Sequence, residues 1–177
     1  MKHRPRRSIT LAVSLALIAM PVQAQAGMTP DLPLSASLDA VGEAIRVCDA
    51  RGFKVTVTVV DLDGIIKVQA RSDGSPIHSQ QFSFRKAYTM ASMGPVFRVD
   101  VSSALVKALG ASPQGLSNVQ SGETPLLFLP GAALIRVGGV PVGAIGVSGA
   151  PSSLEDETCA VAAVDKIEGV PNPGAPK

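Results

Sequence analysis

The chain has no tryptophan, one tyrosine, five phenylalanines, two histidines and two cysteines in 177 residues. So few aromatic side chains argue against the stacked platforms that hold single-stranded nucleic acid. Two cysteines rule out a disulfide-dense miniprotein and any cysteine-rich zinc or iron–sulfur centre. Charge is also sparse, with 17% Asp, Glu, Lys and Arg, whereas 46% of the residues are hydrophobic. Such a composition has ample material for a core and is unlike that of a disordered chain. The length fits one domain with a short appendage and would cramp two.

The net charge of +2 arises from the first few residues. Lys2, Arg4, Arg6 and Arg7 precede an apolar run from Ile9 to Met20, then Pro21 and the small-x-small triplet Ala24-Gln25-Ala26. This is the layout of an export signal, and cleavage is expected after Ala26, with Ala24 as the second choice. An uncleaved anchor is the other reading, but the run is short for a membrane-spanning helix. Removing those four of the 16 basic residues leaves 12 against 14 acidic ones, a net charge of −2. No basic patch for nucleic acid remains, and a periplasmic or secreted location is expected. The organisation is then a signal over 1–26, a flexible leader over 27–34, one domain over 35–169 and a proline-rich tail over 170–177.

Cleavage would also remove His3, leaving His78 as the only imidazole. One histidine cannot build a His-rich zinc site. It also lies upstream of Gly146-Val147-Ser148-Gly149-Ala150, a weak echo of a nucleophile elbow, so a Ser-His-Asp hydrolase of the usual chain order is excluded. Asp61-Leu62-Asp63-Gly64 lacks the further oxygens of a calcium loop and reads as a turn. No catalytic constellation emerges, and whether the protein is an enzyme stays open.

Periodicity supplies the elements. Leu38, Val41, Ala44, Ile45 and Cys48 recur at helical spacing, with Ser35 or Ser37 as N-cap and Gly52 as the stop. Phe53–Val60 and Ile65–Ala70 read as a hairpin. A helix follows from Gln80 to Met93, capped by Ser79 and broken by Gly94-Pro95, then a short one near Val101–Leu109 and a polar loop over 110–124. Strands are expected at Leu126–Leu129, Ala133–Val137 and Pro141–Val147. The last helix runs from Ser152 to about Ile167, with Glu155, Asp156 and Glu157 suiting its positive end. Gly143, Gly146 and Gly149 would admit a close backbone or a flat ligand. Cys48 and Cys159, on the first and last helices, read equally as a bridge or as two buried thiols, because bridging needs α-carbons within about 7 Å. This order implies an α+β fold, an antiparallel sheet covered by helices.

Three stretches carry a family resemblance. They are Val59-Val60-Asp61-Leu62-Asp63-Gly64; Arg71 through Asp73-Gly74 and Pro76-Ile77-His78-Ser79 to Arg85-Lys86-Ala87-Tyr88-Thr89; and Val142-Gly143-Ala144-Ile145-Gly146-Val147-Ser148-Gly149 followed by Asp156-Glu157 and Ala160. Together they resemble the GlcG/HbpS-like family of haem-binding and haem-associated proteins, also found as the C-terminal domain of PduO-type proteins. The resemblance implies a profilin-like or PAS-like antiparallel sheet of about five strands flanked by helices, often in homo-oligomers. The sequence departs from the family at Gly131-Ala132-Ala133-Leu134, where Gly-Gly-x-Pro is common, at Ser72 within the Arg-Met-Asp motif, and at Met90.

Haem fits the chemistry of these residues. Its iron accepts a neutral imidazole, and an apolar slot with cations at its mouth suits the ring and its propionates. His78 is the candidate axial ligand, with Arg71, Arg85 and Lys86 as propionate partners and Phe82, Phe84 and Met90 as candidate lining, although Phe82 and Met90 also suit a core. The resulting expectation is an exported, non-enzymatic haem or tetrapyrrole binder. The rival is a small-molecule-binding or assembly subunit without haem, and a haem-degrading protein is the weaker alternative. Without Cys-x-x-Cys-His, covalent haem attachment is excluded.

Overall fold

The computed structural model describes residues 31–110 and 125–168. The expected signal, the first residues of the leader, most of the polar loop and the tail lie outside them. Among the described residues, no helix is long and apolar enough to cross a membrane.

Helix α1 (Leu34–Ala50) starts directly after Pro33, which occupies the N-cap position in an extended conformation at φ −62° and ψ 144°; no side chain caps the helix. Ser37, one of the two expected caps, lies inside the helix and donates to Pro33 O at 3.1 Å. Leu32, just ahead of the helix, is already buried in the core. Ala36, Ala40, Val41, Ala44 and Cys48 form the buried stripe. Gly52, at φ +79°, reverses the chain so that Phe53 N returns to Cys48 O and Gly52 N to Asp49 O, a Schellman closure.

Strands β1 (Thr56–Asp61) and β2 (Ile66–Arg71) form the hairpin. Asp61 closes its turn, its Oδ1 accepting from Asp63 N at 3.0 Å and Ile65 N at 2.9 Å. Helix α2 (Ser79–Phe97) follows, then α3 (Ser102–Gly110), β3 (Ala132–Val137), β4 (Val140–Ser148) and α4 (Ser153–Ile167). The α+β expectation is the architecture observed, with four strands in the order β2-β1-β4-β3, each pair antiparallel. Gly138 and Gly139, both at positive φ, make the two-residue turn that joins β3 and β4.

Two expectations are corrected. Leu126–Leu129 is not a strand, because its backbone bonds to α2 side chains instead of a sheet edge: Arg85 Nη2 donates to Leu126 O and Leu127 N donates to Thr89 Oγ1, each at 2.7 Å. Nor does Gly94-Pro95 break α2. Pro95 falls in the last turn, where its missing N–H forfeits the single bond to the carbonyl four residues back and only two helical residues follow it. Gly94 packs beside the flexible end of the Met90 side chain and 3.2 Å from Val99 O, measured from where a Cβ would stand. The helix ends at Arg98, in the left-handed region at φ 54°.

The sheet separates two cores. Val55, Val57, Val59, Ile145 and Val147 face α1 and α4, while Val60, Ala132, Leu134 and Ala144 face Ala87 and Met90 of α2. Glycines allow this second layer to sit tightly on β4. A Cβ at Gly146 would lie 2.2 Å from Ser83 O of α2, and one at Gly149 would lie 2.5 Å from Lys54 O. The neighbours these glycines admit are backbone. Cys48 and Cys159 are joined in a disulfide, with α-carbons 5.7 Å apart, clamping α1 to α4.

Candidate functional site

The segment from Arg71 to Ser79 connects the edge strand β2 to α2 and carries the sole imidazole of the domain. It is anchored by backbone bonds from Ser72 N to Val55 O (2.9 Å), Ser75 N to Ser72 O (3.1 Å) and Ser79 N to Pro76 O (3.1 Å). Arg71 Nη2 donates to Ser75 O from the other side of the loop. Gly74 makes the sharpest bend, at φ +81°. On the tip stand Ile77, 87% exposed, and His78, also in solvent. His78 occupies the N-cap position of α2 but makes no side-chain cap bond there, so its ring nitrogens are not spent on the helix end. Ser79, the expected cap, is the first residue of the helix and points inward.

His78, Phe82 and Arg85 lie at i, i+4 and i+7 and therefore share one face of α2. The Phe82 ring meets the imidazole edge-on, with centroids 5.3 Å apart at 65°. Arg85 is half-buried, its Nη2 bonded to Leu126 O. Arg71 ends β2 and bonds into the loop, while His78 and Arg85 stand on the first two turns of α2. Phe84 packs against Tyr88 on another side of the helix, and Met90 is wholly in the core. A hollow beside Gly64 and Tyr88 has a volume of about 40 Å³, against about 300–1,000 Å³ for a ligand pocket, and cannot enclose a macrocycle.

Lys86 does not join that group. It is 1% exposed, and its Nζ donates to Asp156 Oδ2 at 2.8 Å and to Val147 O at 3.1 Å. An ammonium group so buried has no route to a propionate, and the expectation for Lys86 is corrected to a structural one. Burial holds this lysine below the usual ammonium range, against the attraction of Asp156, and holds Asp156 above the usual carboxylate range, against the attraction of Lys86. Beside them, Glu157 Oε2 accepts from Ser102 Oγ and Ser103 N at 2.8 Å and from Gly131 N at 3.3 Å. Asp156 and Glu157 therefore do more than face a helix dipole: they tie α4 to α2, to the start of α3 and to the entry of β3. The signal for Asp156 was present in the sequence. It shares the helical stripe of Cys159, Ala160 and Ala163, and a carboxylate on an apolar stripe needs a buried partner.

Among the described residues, no group of three or more His, Cys, Asp or Glu side chains is placed to hold a bare metal ion. A lone imidazole suits an iron that brings its own ring of nitrogens. The donor chemistry around His78 thus fits haem, and among the described residues the imidazole is exposed.

The fold and this loop define a small α+β domain, a four-stranded antiparallel sheet between helical layers, presenting one imidazole beside apolar and cationic side chains. The chain belongs to the HbpS-like family, whose model, described as "Haem degrading protein HbpS-like", matches residues 32–165. No curated protein matches it. Among solved structures, a double mutant of Streptomyces reticuli HbpS is 30% identical, covering 92% of this chain and 98% of that one, with a TM-score of 0.69. Klebsiella pneumoniae protein ORFY, at 19% identity, covers 83% and 97% with a TM-score of 0.71. A PduOC:heme complex, at 22% identity, covers 80% and 98% with a TM-score of 0.67. These last two share the fold.

Proposed function

We propose that this protein is an exported haem-binding protein in which His78 supplies the axial ligand and Arg71 and Arg85 lie where propionates would reach them. The observation that carries the reading is the exposed imidazole on an anchored loop, with Ile77 and the Phe82 ring as apolar neighbours. Membership of a family described by haem chemistry supports it. His78 would hold haem through its neutral imidazole, and the group would supply the iron that this donor binds. The protein's own residues orient the imidazole, give the ring an apolar surface and offer charge to its carboxylates. With His78 exposed among the described residues, a second copy of the chain is the proposed second wall. Export is supported by the Cys48–Cys159 bridge, which suits an oxidising compartment.

Titration of the purified protein with hemin tests the reading. A saturable Soret shift that changes in His78→Ala is expected; an identical spectrum in that variant removes the ligand assignment. Sizing the protein with and without hemin tests the second wall, and the N-terminal sequence of exported material should begin at Gly27. The family's description favours haem degradation as a second reading. Under reductant and oxygen, a binding protein keeps its Soret band, whereas a degrading one loses it irreversibly and releases iron.

A further inference from the structure

The tip that presents His78 is held from beneath by three buried hydroxyls. Thr56 on β1 and Ser79 at the start of α2 are 0% exposed, and Ser75 is 2% exposed. Their oxygens form a triangle, Thr56 to Ser79 at 2.7 Å, Ser75 to Ser79 at 2.7 Å and Thr56 to Ser75 at 3.3 Å. Ser79 Oγ donates its own proton to Pro76 O at 2.5 Å, so its lone pairs are left to accept from the other two. Every hydroxyl in the triangle is satisfied, and Ser75 and Ser79 flank Ile77 and His78 on either side.

We infer that Thr56, which touches no ligand, is a positioning residue for His78, acting through the Ser75–Ser79 pair that brackets it. This rests on the reading of His78 as the haem ligand. A buried hydroxyl network that is fully satisfied rigidifies the segments it joins, and here the segment it joins to the central strand is the four-residue step that holds the imidazole out. Fixing the ring in advance spares the cost of ordering it when ligand arrives. The same strand face supplies its own control. Thr58 Oγ1 bonds to Ser83 Oγ at 2.8 Å and accepts from Gln69 Nε2 at 2.8 Å, which secures α2 one turn further in and touches no residue of the tip.

The test compares Thr56→Val, which keeps the volume and removes the hydroxyl, with Thr56→Ser, which keeps the hydroxyl, and with Thr58→Val. Hemin titrations and amide hydrogen exchange on the purified protein are the readouts. Thr56→Val should weaken hemin binding about tenfold, as expected for loss of roughly one net hydrogen bond of preorganisation, and broaden the Soret band. It should also speed exchange at the Ser79 amide, which is bonded to Pro76 O. Thr56→Ser should restore both, and Thr58→Val should leave the spectrum and the tip exchange unchanged. Should Thr56→Val not fold, Ser75→Ala breaks the same triangle from the loop side and should give the same two effects.

A wild-type hemin titration in Thr56→Val, alongside a changed spectrum in His78→Ala, overturns the positioning role and leaves the ligand assignment standing. A silent His78→Ala removes the ligand assignment, and the exchange data alone then decide whether Thr56 holds the tip. Equal loosening of the tip by Thr58→Val overturns the inference in either case, because the effect would belong to the helix as a whole.

Discussion

Lys86 Nζ lies 2.8 Å from Asp156 Oδ2, with the lysine side chain 1% and the aspartate side chain 3% exposed. The pair joins α2 to α4 across the end of β4, and Val147 O and Ala150 N complete its hydrogen bonds. Removing one partner of a buried ion pair strands the other, at a cost of about 3–5 kcal/mol. Lys86→Met should therefore lower unfolding stability by about that much in urea denaturation. The double variant Lys86→Met, Asp156→Leu should recover most of the loss, since no charge is then left buried. A single variant as stable as the wild type would show that the pair is not buried in solution.

The pH response of Asp156 has a definite sign. Its carboxyl is held above the ordinary value of 3.8 by burial, so the folded protein takes up this proton more readily than the unfolded chain. Its contribution is fully present below 3.8 and is lost as pH rises through the raised value. Wild type should accordingly gain on Asp156→Asn as pH falls through that window. Paired urea denaturations at several pH values would show it; a difference constant across the window would contradict it.

The disulfide closes a separation of 111 residues. A loop of that size corresponds to about 4.7 kcal/mol in the chain-entropy account, and removal of native bridges typically costs about 2–5 kcal/mol. Replacing Cys48 and Cys159 together by Ala should lower stability within that range. The wild type unfolded in reducing buffer should converge on the variant.

Two glycines should respond to alanine in opposite directions. At Gly146 the new methyl would lie 2.2 Å from Ser83 O and 2.6 Å from Ala87 N, so α2 must lift from β4. Overpacking of this kind costs about 1–3 kcal/mol. At Gly42, within α1, nothing lies within 4 Å. Alanine there should stabilise by about 0.5–1 kcal/mol through helix propensity alone. Thermal melts of both variants check the contrast.

Local pattern accounts for what was legible in the sequence. The helical spacing of Val41, Ala44 and Cys48 and the pairing of β1 with β2 as a hairpin act between near neighbours and stand where expected, whereas Leu38, read in the same stripe, is 54% exposed. What local pattern could not reveal depends on distant partners. Leu126–Leu129 has the composition of a strand, yet Arg85 and Thr89 claim its backbone. Lys86 resembles a surface cation until Asp156, 70 residues away, is brought against it. The hydroxyls of Thr56 and Thr58 read only as β-formers, because their serine partners lie beyond the hairpin. His78 was legible as a solvent-facing imidazole because the polar loop that carries it is continuous in sequence.

The bond between the first and last helices turns everything from Cys48 to Cys159 into a covalent ring. A protease that cuts one peptide bond within that ring opens it without releasing a fragment. Both pieces stay tethered across the core until a reductant reaches Cys48 and Cys159, each 0% exposed. A nicked molecule would therefore keep its mass in a non-reducing gel and separate into two bands only after reduction.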